Sequence, residues 1–140
     1  MNRYGLPLSL CLLILAAAIT LACGSSANRM LRSVTISPAT ADAGNYPGGQ
    51  VPFMATGFYA APPSPVEPLS ATWGACDQNG NSTSEVSVGA NGVAQCAADA
   101  VGTFKVWAFD VNPGGATCLA ITACGGGCGR VTGTAQLTCP

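Results

Sequence analysis

Gly102-Thr103-Phe104-Lys105-Val106-Trp107-Ala108-Phe109 is the stretch whose reading decides the fold class. Successive side chains of a strand point to opposite faces, so Phe104, Val106 and Ala108 share one face and Lys105, Trp107 and Phe109 the other. The first set is expected to face a core, which turns Lys105 and the two aromatics outward. Outward aromatics beside a lysine either form a binding platform for a protein or a sugar, or lie beneath another part of the chain. Cover from a cysteine-rich hairpin over Cys118 to Cys139 is the expected outcome, and Lys105, Trp107 and Phe109 stand as the candidate recognition surface.

The chain on either side of this strand has the same character. Short β-rich runs separated by Gly, Pro, Asn and Asp replace any helical period from Leu31 onward, the pattern of a sandwich or barrel. Val34-Thr35-Ile36 reads as a first strand, stopped by Ser37-Pro38, and Asp42 to Gly49 as a turn-rich connection. Val51, Phe53, Ala55, Gly57 and Tyr59 alternate along a second strand, with Pro52 near its start, where a missing N–H is tolerated. Ala60 to Pro68 carries four prolines and reads as a stiff polyproline-like loop. Further strands are expected at Ala71-Thr72-Trp73, Glu85 to Val88, Val93 to Cys96, Ala116 to Thr122 and Val131 to Thr138. Asp77 to Asn81 and Asn91-Gly92 are turns.

Ahead of these strands lies a different segment. Arg3 precedes an uncharged apolar run from Leu6 to Leu21, followed by Ala22-Cys23-Gly24-Ser25-Ser26. This is the layout of a secretory signal. A transmembrane helix would need about 20 apolar residues, and this run is shorter and carries Pro7 and Ser9. Thr20-Leu21-Ala22-Cys23 resembles the loose form of a bacterial lipobox, which implies cleavage before Cys23 and acylation of its thiol. Cleavage after Ala27 by ordinary signal peptidase is the alternative. The expected organisation is a signal peptide over 1–22, a lipidated Cys23 and tether over 23–31, and one domain over 32–140.

Composition limits what that domain does. The 140 residues contain 5 Lys plus Arg, 6 Asp plus Glu and no His, for a net charge of −1. No basic cluster exists to neutralise phosphates, which argues against nucleic acid as a partner. Without histidine, Ser-His-Asp and Cys-His catalysis is excluded. Glu67 sits in the proline loop and Glu85 opens a strand, so neither has an identifiable partner for glycosidase chemistry. Asp77-Gln78-Asn79-Gly80-Asn81 lacks the closing glutamate of a calcium loop and reads as a plain turn. No cofactor is expected.

In order along the chain, five motifs resemble a bacterial immunoglobulin-like domain of the group 2 kind. These are Val34-Thr35-Ile36-Ser37-Pro38, the stretch Gln50 to Tyr59, Thr72-Trp73, Val86 to Ala94, and Gly102-Thr103-Phe104-Lys105-Val106. The resemblance covers residues 31 to 109 and extends to the last strand. It implies an all-β, immunoglobulin-like β-sandwich of about seven to eight strands, with Trp73 packed centrally against Phe53, Val93 and Val106. It also implies adhesive, spacer or surface-recognition work. The cysteines, the proline loop and the glycine-rich last hairpin depart from the family pattern.

Eight cysteines are present. Cys11 leaves with the signal and Cys23 is lipidated or removed, so Cys76, Cys96, Cys118, Cys124, Cys128 and Cys139 remain, an even set suited to an oxidising compartment. In the topology that the resemblance implies, the Trp73 and Val93 strands end at one pole, which pairs Cys76 with Cys96. Three pairings stay open for the other four; Cys124–Cys128 nested inside Cys118–Cys139 is the preferred one. A zinc site would normally use closer Cys-x2-Cys knuckles, and a redox pair would use Cys-x-x-Cys at a helix start. The expected protein is therefore a non-catalytic envelope lipoprotein, held at the outer membrane or cell surface by its N-terminal lipid and facing an unknown protein or glycan. A secreted, non-lipidated binding module is the alternative, and a thiol-redox or metal-binding envelope factor is the third reading.

Overall fold

The Gly102 strand is an interior strand of a four-stranded sheet. In the computed structural model, residues 30–110, 124 and 130–140 are described. The described strands are β1 (Leu31–Ser37), β2 (Thr40–Asp42), β3 (Gln50–Pro52), β4 (Met54–Tyr59), β5 (Thr72–Cys76), β6 (Val86–Val88), β7 (Val93–Cys96), β8 (Gly102–Asp110) and β9 (Val131–Cys139). The protein is an all-β, disulfide-bridged sandwich. The signal-like segment, Cys23, Cys118, Cys128 and the expected Ala116 to Thr122 strand lie outside the described residues.

One layer has the order β2-β9-β8-β5. β8 pairs antiparallel with both neighbours, while β2 runs parallel to β9. The other layer is built around Gln50–Tyr59, a single extended run whose hydrogen-bonding partner changes at Phe53. Before that residue β3 pairs with β7, which pairs with β6; after it β4 pairs with β1 along the opposite edge. Phe53 itself donates its N–H to the Gly92 carbonyl at 3.0 Å. The sequence-based count of seven to eight strands thus becomes nine among the described residues. β2 is too short to leave a pattern, and Phe53 divides the second strand in two.

Alternation predicted the inward faces well. Phe104, Val106 and Ala108 from β8 meet Ala135, Leu137 and Cys139 from β9 and, across the sandwich, Val34, Ile36, Val51, Phe53 and Ala55. Leu137 and Val106 are fully buried. Burying such side chains contributes roughly 1.5–3 kcal/mol each. Leu31 belongs to this core at 4% exposure, so the domain begins one residue before its expected start at residue 32. A bulge between Leu31 and Ser33 resets the alternation, letting Leu31 and Val34 both point inward.

Packing refines one expectation and corrects another. The proline-rich segment, read as a stiff loop, is strapped at Val66 to the edge of β4 away from β1. Gly57 and Val66 exchange both backbone hydrogen bonds (3.0 and 2.9 Å), and Leu69 N–H reaches the Ala55 carbonyl at 2.8 Å. Leu69 then enters the core at 6% exposure. Trp73 and Val93 are not the centre of the sandwich. Trp73 points inward but is only half-buried, because the β6–β7 hairpin facing it ends at Asn91-Gly92. Val93 pairs with Pro52, one residue out of phase with the inward pair Val51 and Ala94.

Candidate functional site

Residues opposite one another in an antiparallel pair share a face. Ala108 and Val106 face the core, so their β5 partners Trp73 and Ala75 do too; Gly74 and Cys76, opposite Trp107 and Lys105, face outward. The outer face of this sheet therefore carries Thr72, Gly74 and Cys76 on β5, Lys105, Trp107 and Phe109 on β8, and Thr132, Thr134 and Gln136 on β9. The three predicted recognition residues are brought together in one row.

They do not form an open aromatic platform. Phe109 is 3% exposed, and Trp107 is half-buried. The Trp107 and Phe109 rings stack with centroids 5.3 Å apart and 12° between planes. The Arg130 guanidinium lies 4.3 Å from the Phe109 centroid on a cation–π contact. Trp107 Nε1 is buried and has no hydrogen-bond partner among the described residues. This row is a stacked, largely covered ladder in which Lys105 and Trp107 are half-buried and Phe109 is buried.

The disulfides explain part of the cover. Cys76 bonds to Cys124 and Cys96 bonds to Cys139, with Cα separations of 5.5 and 5.9 Å. The expected Cys76–Cys96, Cys124–Cys128 and Cys118–Cys139 pairs are therefore overturned. Cys96 and Cys139 point inward from opposite layers and join them, whereas Cys76 points outward and cannot reach Cys96. Cys124 lies between β8 and β9 in the chain, and its bond to Cys76 holds Cys124 against the outer face. The bridges span 48 and 43 residues, which in the chain-entropy model contributes about 4 kcal/mol each.

Two depressions adjoin these elements. A polar pocket of about 400 Å³ opens at the Lys105 end of the outer face, lined by Gln78, Thr103, Phe104, Lys105 and Gln136. An apolar groove of about 310 Å³ opens beside the short β6–β7 hairpin, with Phe53, Leu69, Pro68 and Trp73 among its walls. The polar pocket escaped the sequence reading because Gln78 and Gln136 are far apart in the chain. The β8–β9 register brings Gln136 opposite Lys105.

Three acidic side chains, Glu67, Asp110 and Asp77, have structural partners. Thr56 donates its hydroxyl to Glu67 at 3.0 Å, and Tyr59 donates its hydroxyl to Asp110 at 3.2 Å. Asp77 accepts from Asn81 N–H at 2.7 Å and from its side-chain amide at 3.1 Å. Those Asn81 hydrogen bonds hold the Asp77 carboxyl below its ordinary value of 3.8. Among the described residues no group of three or more His, Cys, Asp or Glu is placed to hold a metal. No protein-family model matches this chain, and no curated protein is similar to it.

Proposed function

We propose that this protein is a non-catalytic module of the bacterial cell envelope, exported, anchored through lipid on Cys23, and used for surface recognition or adhesion. The observation that carries the reading is the pair of disulfides, one joining the layers and one holding Cys124 to Cys76 on the outer face. Bridges of this kind persist in oxidising compartments, in keeping with the signal-like N-terminus. The order of strands also supports the immunoglobulin-like reading: β1, β4/β3, β7 and β6 stand in the places of A, B, E and D, and β5, β8 and β9 in those of C, F and G. The hydrogen bonds that occupy Glu67, Asp77 and Asp110 favour a binding surface over a catalytic one.

Intact mass of the protein from its host membrane, with thiols alkylated before and after reduction, tests the anchor and bridges. An acylated species with no alkylation before reduction and six alkylated cysteines afterwards is expected. Free thiols, or an N-terminus at Asn28 without lipid, would overturn the anchored, bridged form. Recognition is tested separately by probing glycan and protein arrays with the soluble domain; a complete absence of ligands leaves only an envelope-structural role.

A further inference from the structure

The pocket lined by Gln78, Thr103, Lys105 and Gln136 has a chemistry that the stacked aromatics beside it lack. Its single cation has no anionic partner among the described residues. The chain has six Asp and Glu side chains, and all of them fall among the described residues. Glu67, Asp77 and Asp110 are held by Thr56, Asn81 and Tyr59, and Asp42 accepts the Gly44 N–H at 2.8 Å. Asp77 is the carboxylate nearest to the pocket in sequence, and its Oδ atoms are turned into its own turn. None of these carboxylates is ion-paired with Lys105, so its ammonium is open to an anionic ligand.

The other polar groups narrow the class of that ligand. Gln78 and Gln136 each offer an amide donor and acceptor, and the Thr103 hydroxyl does both. Three neutral groups of mixed polarity around one ammonium suit a molecule with many hydroxyls and one carboxylate. They suit a protein partner poorly, since protein hot spots depend on aromatic or arginine anchors entering apolar pockets. Three of these groups lie on paired strands, and Gln78 sits in the exposed turn after β5. Thr103 and Lys105 lie within β8, Gln136 is fixed opposite Lys105 by register, and Gln78 follows the disulfide-bonded Cys76.

We propose that this pocket binds a carboxylated sugar, a uronic acid residue of a polysaccharide, with Lys105 on the carboxylate and Gln78, Thr103 and Gln136 on ring hydroxyls. The proposal rests on the recognition reading above and specifies its ligand. Its test is calorimetric titration of the disulfide-bonded protein with trigalacturonate and, as neutral control, maltotriose. Trigalacturonate should bind and maltotriose should bind at least about tenfold more weakly, with the acidic affinity falling as salt rises. Lys105→Gln should weaken trigalacturonate binding at least about tenfold, and Gln136→Ala several-fold, with unchanged circular dichroism. No binding of trigalacturonate, or binding that Lys105→Gln leaves intact, overturns the proposal. If the arrays then still report another ligand, the recognition reading survives; if they report none, it falls as well.

Discussion

The indole of Trp107 lies directly over the backbone of Gly74, its partner across the β5–β8 pair. A Cβ built on Gly74 would come within 2.7 Å of Trp107 Cε2 and 2.8 Å of Cη2. The absence of a side chain at position 74 is thus what lets the Trp107–Phe109 stack lie flat on the sheet. Gly74→Val should displace the indole and cost about 1–3 kcal/mol. Urea unfolding together with a change in tryptophan emission would report both effects; an unchanged midpoint would mean the ring tilts away freely.

Gly133 makes the corresponding contact on the other edge, between layers. A Cβ there would meet the Val34 carbonyl oxygen and Cγ1, both at 2.8 Å. The obstacle is partly main chain, so β1 would have to retreat from β9. Gly133→Val is expected to be at least as costly as a typical overpacked core substitution, about 2–3 kcal/mol. Thermal denaturation would reveal it.

The two bridges should separate in mutagenesis. Replacing both Cys96 and Cys139 by serine removes the link between layers and is expected to cost about 4 kcal/mol. Replacing Cys76 and Cys124 should cost a similar amount and also raise the accessibility of Phe109 and Trp107. Non-reducing peptide mapping should recover the Cys76–Cys124 and Cys96–Cys139 linkages. Recovery of a Cys76–Cys96 peptide would contradict the outward direction of Cys76.

Trp73 and Trp107 are the chain's 2 tryptophans. In Trp107→Phe the remaining emission comes from Trp73, which lines the apolar groove beside Asn91. Its emission should be readily quenched by acrylamide, unlike that of a sealed core indole. Trp73→Ala should cost less than the 3–5 kcal/mol typical of a fully buried tryptophan.

Asp77 gives an acid-limb prediction. Its folded value lies below the ordinary 3.8 because Asn81 donates to the ionised carboxylate. The stabilisation is therefore complete above about pH 4, where Asp77 is ionised in both states, and is lost as pH falls through the lowered folded value. Asp77→Asn should remove that part of the dependence, so the two unfolding curves converge as pH falls from 4 towards 2. Parallel curves over that range would rule out the Asn81 hydrogen bonds as its cause.

The cysteine pattern shows how far alternation carries. Trp73 and Cys76 are three positions apart on one strand, so an inward Trp73 requires an outward Cys76. The expected Cys76–Cys96 bridge was thus in conflict with strand parity, which the family resemblance obscured. Cys139, by contrast, stays in phase with the inward Ala135 and Leu137. The polar pocket left no trace in local sequence, because Gln78, Lys105 and Gln136 come from three separate segments.

Alternating apolar residues and turn-forming glycines, prolines and asparagines determined an all-β chain, the places of seven of its strands and the inward face of β8. These are local properties, set by which side of a strand each residue occupies. The tertiary structure alone decided where the Gln50–Tyr59 run changes partner, how the proline segment is strapped, which cysteines meet and what lies beside Lys105. Each of these depends on the spacing and register of strands far apart in the chain, and no local pattern encodes the distance between them.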